Sequence, residues 1–191
     1  MDLDNHSIAQ VQIVEWLVGD SRAHLIQAEL ETLSNLLRDV VYSGGGVSFF
    51  IPFSVEEARA FWTEKILPDV KTGARRVLLA RDSGAAIVGT VQLELDMPPN
   101  QVHRAAVAKL LVHPNSQRRG IAKSLMFSLE EIAKSEGRTL LTLDTVTGSD
   151  AEFLYTSLGY KKVGIIPRFA RGAITPELQG TTVMYKELDQ K

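Results

Sequence analysis

Cysteine is absent from the 191 residues. Its absence removes disulfides, thiolate-bound zinc, iron–sulfur clusters and any covalent relay through a thiol. A reducing, cytoplasmic setting is the compartment this composition predicts. An excess of positive charge is missing as well, because 21 Lys and Arg stand against 23 Asp and Glu, for a formal net charge of −2. No global basic field draws in nucleic acid, so no nucleic-acid partner is expected. No apolar run reaches the ~20 residues that span a bilayer, and no membrane association is expected. Asp2, Asp4 and Glu15 interrupt the start, where no secretory signal is expected. His6, His24, His103 and His113 show no i, i+4 pairing with another ligand, and no metal site is expected.

What the chain does have is an ordinary globular composition, 45% hydrophobic and 23% charged, over a length typical of one domain. A single domain over residues 1–191 is the expectation, with its best-patterned part from 75 to 186. An alternating stretch around Ile8 to Val14 predicts a first strand. From about Ser21 to Val41, the positions Ile26, Leu30, Leu33, Leu37 and Val40 recur at three- and four-residue steps and lay one stripe along a helix. Ser43-Gly44-Gly45-Gly46 stops it and reads as a connector with some substrate contact. Ser54 and Glu57 have capping-box spacing for a second helix that ends between Pro68 and Gly73. Trp16 and Trp62 read as core residues.

Residues 75–82 and 86–96 read as the two strands of a hairpin around Ser83-Gly84. Ala106 to Val112 is a nearly continuous apolar run, as expected of a strand covered on both faces. A helix from Ile121 to about Glu136 follows, ended by Gly137, and then Leu140-Leu141-Thr142-Leu143 forms another buried strand. Strand, loop, helix and strand make a right-handed crossover, so 106–112 and 140–144 should run parallel. Ser149 and Glu152 have reciprocal cap spacing for a helix through Leu158 to Gly159. Strands near 161–166 and 182–187 close the chain.

The chemistry is concentrated in the loop joining Leu110-Leu111-Val112 to the helix at Ile121. The first turn of a helix has unpaired N–H groups and a partial positive charge, so a loop wrapped closely there suits a phosphate. Gly120 and Ala122 keep the backbone approachable, while Arg118, Arg119 and Lys123 supply charge in a region of local balance +2. In isolation two arginines at a helix start are more often a solvated turn. The nucleoside triphosphate P-loop is a rival that Ala122-Lys123-Ser124 matches faintly. It fails because no glycine stands at the motif's first position, none directly precedes the lysine, and no aspartate is placed for magnesium.

Gln117-Arg118-Arg119-Gly120-Ile121-Ala122 resembles the Q/R-x-x-G-x-G/A acetyl-CoA pyrophosphate loop of the GCN5-related N-acetyltransferase family. Downstream, Leu154-Tyr155-Thr156-Ser157-Leu158-Gly159-Tyr160 is similar to the family's Y-x-x-L/H-G-F/Y segment. The resemblance covers roughly Arg75 to Lys186, and Leu143 to Ser149 with the glycine loop is similar to tabtoxin-resistance-type members. Two positions depart from the family: Gly148 stands where many members have asparagine, and Ala106 where some carry a glutamate proposed as base.

The resemblance implies an α/β (α+β) fold, a mixed and mostly antiparallel sheet with one splayed parallel pair and flanking helices. It also implies acetyl-CoA as co-substrate without a metal, and a small-molecule primary amine as acceptor. Gln117, Arg118, Arg119, Gly120, Ile121, Ala122, Lys123 and Ser124 would hold the pyrophosphate. The pantetheine arm would lie as a pseudo-strand beside Leu111 and Val112, with a main-chain N–H near Leu111 facing the thioester oxygen. Tyr155 would lie beside the sulfur and protonate the leaving thiolate. Asp144, at the carboxyl end of a parallel strand, is a base or a substrate anchor, although binding Thr145 or capping a turn would equally account for it. Without a thiol, direct attack in a ternary complex is the simplest route. A non-catalytic acyl-CoA sensor is the alternative, and pairing through a terminal strand would give a homodimer.

Overall fold

The protein, seen in a computed structural model, is described at residues 11–19 and 22–189. Ile8 to Gln10 of the expected first strand lie outside these residues, and strand β1 covers Gln12–Glu15. Helix α1 (Ala23–Tyr42) follows, then α2 (Val55–Ala60) and α3 (Leu67–Thr72), bridged by a π-helical turn at Phe61–Ile66. That wide turn comes directly before Pro68, whose ring nitrogen has no hydrogen to give the helix. The reciprocal cap at Ser54 is present, with the Glu57 N–H on Ser54 Oγ at 3.1 Å and the Ser54 N–H on Glu57 Oε2 at 2.7 Å.

The hairpin β2 (Arg75–Arg81) and β3 (Ile87–Glu94) leads to β4 (Arg104–Val112), α4 (Ile121–Ser135), β5 (Leu140–Val146), α5 (Asp150–Ser157), β6 (Lys161–Arg171) and β7 (Leu178–Glu187). The last two strands run well beyond the expected 161–166 and 182–187, because they pair to the end of their hairpin at Arg171↔Leu178. The described residues form one sheet of order β1-β2-β3-β4-β5-β7-β6. Every neighbouring pair is antiparallel except β4 and β5, which the crossover through α4 makes parallel.

Each face of the sheet carries its own core. Leu125, Met126 and Leu129 of α4 pack with Tyr155 and Leu158 against one face. On the other, the α1 stripe of Leu30, Leu33, Leu37 and Val41 packs with Trp16 and Trp62, both fully buried, their rings 6.1 Å apart edge to face. No helix among the described residues is long and apolar enough to cross a membrane.

The core side of α1 also buries a carboxylate. Glu29 accepts from Trp16 Nε1 at 2.8 Å and pairs with Arg81 at 2.5 Å and Arg22 at 3.2 Å, tying α1 to β1 and β2. Removing one partner of such a buried network strands the others. Glu29→Ala is expected to cost about 3 kcal/mol in urea denaturation, because it leaves two guanidinium groups and an indole N–H without their acceptor.

Candidate active site

The site begins where the parallel pair stops. Pairing between β4 and β5 is confined to Arg104↔Leu140, Ala105↔Leu141 and Ala106↔Thr142, whereas β5 continues beside β7 as far as Val146. From Val107 onward β4 has lost its neighbour on that side, and a wedge opens toward the carboxyl ends of both strands. A bulge accompanies it: Gln92 faces Ala108 but Thr90 faces Leu111, so β4 carries one extra residue there. Lys109, within the bulge, takes a left-handed backbone with φ 50°.

Alternation along β4 decides which main-chain groups face the wedge. The His113 N–H donates to the Val88 carbonyl of β3 at 2.9 Å. Leu111, two residues earlier, therefore turns its N–H and C=O the same way, toward β3, while Val112 turns its own toward the wedge and Leu110, in the bulge, has no register partner on β3. The Val112 carbonyl accordingly accepts from Gln117 Nε2 at 3.3 Å, which ties the following loop to the strand end.

That loop delivers the start of α4 to the mouth of the wedge. Gly120 occupies the N-cap with φ 78°, and no side chain caps the helix, so the N–H groups of Ile121, Ala122 and Lys123 point outward unclaimed by a cap. Arg118 also lies at positive φ, 61°. Buried Ile121 anchors the first turn to the core, and the Ser124 N–H closes it onto the Gly120 carbonyl at 3.0 Å. Arg118, Arg119 and Lys123 are exposed. Arg118 pairs with Asp150 at 2.9 Å, but both groups are over three-quarters exposed, so water screens the pair and Arg118 can be recruited at little cost. Lys123 rides 5.5 Å above the Phe127 ring.

Tyr155 reaches the site from α5. Ser149 caps this helix by accepting the Glu152 N–H at 3.3 Å, but the box is not reciprocal. The Glu152 carboxylate takes the Gly148 N–H at 2.5 Å instead, and that bond lowers its pKa. Tyr155 is buried beside Tyr160, ring centres 5.5 Å apart, and its hydroxyl makes no hydrogen bond among the described residues. Burial, reinforced by the nearby Asp144 charge, holds the Tyr155 proton well above its ordinary range. Asp144 is exposed on β5 and accepts from Thr181 Oγ1 at 2.8 Å rather than from Thr145.

The glycine loop crosses the other face. A Cβ on Gly46 would collide with Val146 at the end of β5, and one on Gly45 would lie 2.5 Å from Val40 Cγ1, so the loop runs too close to its neighbours for side chains. Ile51 donates its N–H to the Ala173 carbonyl at 3.0 Å, which joins the loop to the β6–β7 turn. Ser48 accepts from Lys109 Nζ at 3.3 Å, and the ammonium sits 5.8 Å from the Phe61 ring centre. Lys109 is the functional candidate missed in the sequence; its signal was one cation inside an otherwise apolar strand run. Burial lowers its pKa, opposed by Glu94 and Asp144 and aided by Arg75. Among the described residues no group of three or more His, Asp or Glu comes together to hold a metal ion.

Wedge, glycine-started helix and buried tyrosine belong to an α/β fold whose mostly antiparallel sheet has one splayed parallel pair. The sequence profile of the Acetyltransferase (GNAT) family matches residues 46–160, and the chain belongs to that family. It is 35% identical over 85 residues to human "N-acetyltransferase 8", a match covering 44% of this chain and 37% of that protein's length. It is 28% identical over 118 residues to an uncharacterized N-acetyltransferase of Azospirillum brasilense, covering 61% of this chain and 67% of that one. A GCN5-related N-acetyltransferase from Kribbella flavida has the same fold, with a TM-score of 0.70 at 21% identity over 92% of this chain and 98% of that chain. The yncA protein of Salmonella typhimurium, solved with its cofactor acetyl-CoA, superposes with a TM-score of 0.67 at 15% identity over 94% and 95%.

Proposed function

We propose that this protein transfers acetyl from acetyl-CoA to a primary amine of a small molecule, by direct attack in a ternary complex formed on a single domain. The observation that carries the reading is the unpaired edge of β4 beyond Ala106, leading straight into the uncapped N–H groups after Gly120. A pyrophosphate on those amides, with Gln117, Arg118, Arg119, Lys123 and Ser124 around it, directs the pantetheine arm down the wedge beside Val112. Leu110 replaces Leu111 as the main-chain donor to the thioester oxygen, because Leu111 faces β3 whereas Leu110, in the bulge, has no register partner there. One such preorganised donor is worth about 3 kcal/mol of barrier.

Asp144 anchors the acceptor amine. The acceptor ammonium loses one proton to water, its freed lone pair forms the C–N bond, the C–S bond breaks, the thiolate takes the Tyr155 proton, and the second proton leaving nitrogen passes to water, from which Tyr155 regains its own. The phenol supports this assignment because its burial keeps the proton in place at neutral pH, so that a donor is present when the thiolate departs beside it. Absence of cysteine supports a reducing, cytoplasmic setting.

Thiol release from acetyl-CoA, followed across a panel of primary amines, tests the reading. Amine-dependent release is expected; binding of acetyl-CoA without release to any amine would favour the sensor alternative.

We also propose a homodimer through β6. Among the described residues this outer strand pairs only with β7, and it exposes Val163, Ile165, Ile166 and Phe169 beside a free edge. Sedimentation equilibrium is expected to give a dimer that Ile165→Lys converts to monomer; a monomeric parent protein would contradict this.

A further inference from the structure

We propose that the acceptor is an amino acid with a free carboxylate, its ammonium held by Asp144 and its carboxylate by Lys109. The inference rests on the acetyltransferase reading and names its substrate class. The two residues stand on opposite walls of the wedge, Lys109 on β4 three residues past the last β4–β5 pair and Asp144 on β5 two residues past it. Neither forms an ion pair among the described residues, yet each lies within electrostatic range of the other, and Asp144 also lies within range of Tyr155. One cation and one anion thus bracket the opening where the thioester would arrive, without neutralising each other.

The surrounding charges are already matched. Glu94, near Lys109, is bound by Arg75 at 2.8 Å, and Arg75 also holds Asp69 at 3.1 Å. Lys109 is left with the Ser48 hydroxyl and the face of Phe61, neither of which carries a negative charge. A partly buried ammonium without a counterion is a standing cost, which a ligand anion relieves. The ammonium is carried on the bulge residue, whose backbone is left-handed, as is that of Ser48, whose side chain it contacts. An amine without a carboxylate would use Asp144 and leave Lys109 unmatched.

The test measures acetyl-CoA binding by calorimetry, then kcat/KM for the twenty common L-amino acids, β-alanine and γ-aminobutyrate, each against its carboxamide. Removing the carboxylate charge is expected to cost about 10- to 100-fold for the best acceptor, the scale of one charge-assisted hydrogen bond. Lys109→Asn, which tolerates the left-handed backbone, should bring the acid-to-amide ratio close to one, and Lys109→Arg should preserve the preference. A structural or proton-transfer role for Lys109 would lower both substrates alike; an unchanged ratio in Lys109→Asn therefore overturns the proposal. So does equal use of acid and amide by the parent protein. Acetyl-CoA binding with no acid acetylated overturns the substrate class alone, whereas failure to bind acetyl-CoA overturns the acetyltransferase reading with it.

Discussion

Tyr155→Phe is expected to lower kcat by about 10- to 10⁴-fold, the range general acids supply, with acetyl-CoA affinity nearly unchanged. The argument is one of position and proton retention. The ring packs in the core formed by α4 and α5, so a phenylalanine fills the same space and the fold survives. Only the hydroxyl is lost, and no other residue among those described uses it as a hydrogen-bond partner. A thiolate expelled into a partly desolvated wedge then has to wait for water. Stopped-flow thiol release resolves the effect, and a variant with parental kcat would remove Tyr155 from the mechanism.

The second large effect is on binding. Gly120→Val is expected to weaken acetyl-CoA by about 10- to 100-fold, since it disturbs several of the N–H donors in the first turn of α4 at once. Nothing lies within 4 Å of a Cβ added at Gly120, so packing does not oppose the substitution. The opposition comes from φ 78°, which disfavours a β-branched residue by about 1–2 kcal/mol, and from an isopropyl group standing over the anion site. Urea denaturation should report that modest loss while calorimetry reports the larger one. Gly120→Asn, which tolerates the left-handed region, should fall between the parent and valine. Parental affinity in the valine variant would place the pyrophosphate elsewhere.

Much of this was legible in the chain before any coordinates. The leucine spacing of α1 and the crossover from β4 through α4 to β5 follow from periodicity, which local sequence carries. The place of Gly120 directly before the helix was legible as well, but its φ of 78° was not, since an N-cap ordinarily has a β-region backbone. Other features belong to relations between segments. The bulge at Lys109 is a register slip between β3 and β4, and a strand's own residues do not reveal the register of its partner. For the same reason the motif pointed to Leu111, whose main chain the ladder turns toward β3. Glu152 had the spacing of a reciprocal cap, but Gly148, at φ 77°, brings its N–H to the carboxylate first. Lys109 and Asp144 stand on opposite sides of the wedge only because two strands, with these residues 35 positions apart in sequence, diverge after three paired positions.

The most direct test of the central claim is a crystal structure with acetyl-CoA bound. It should place the pyrophosphate on the N–H groups of Ile121, Ala122 and Lys123, the pantetheine amides against Val112, and the sulfur next to Tyr155. A nucleotide bound away from Gly120, or β4 and β5 zipped together beyond Ala106 with the thioester outside, would contradict it.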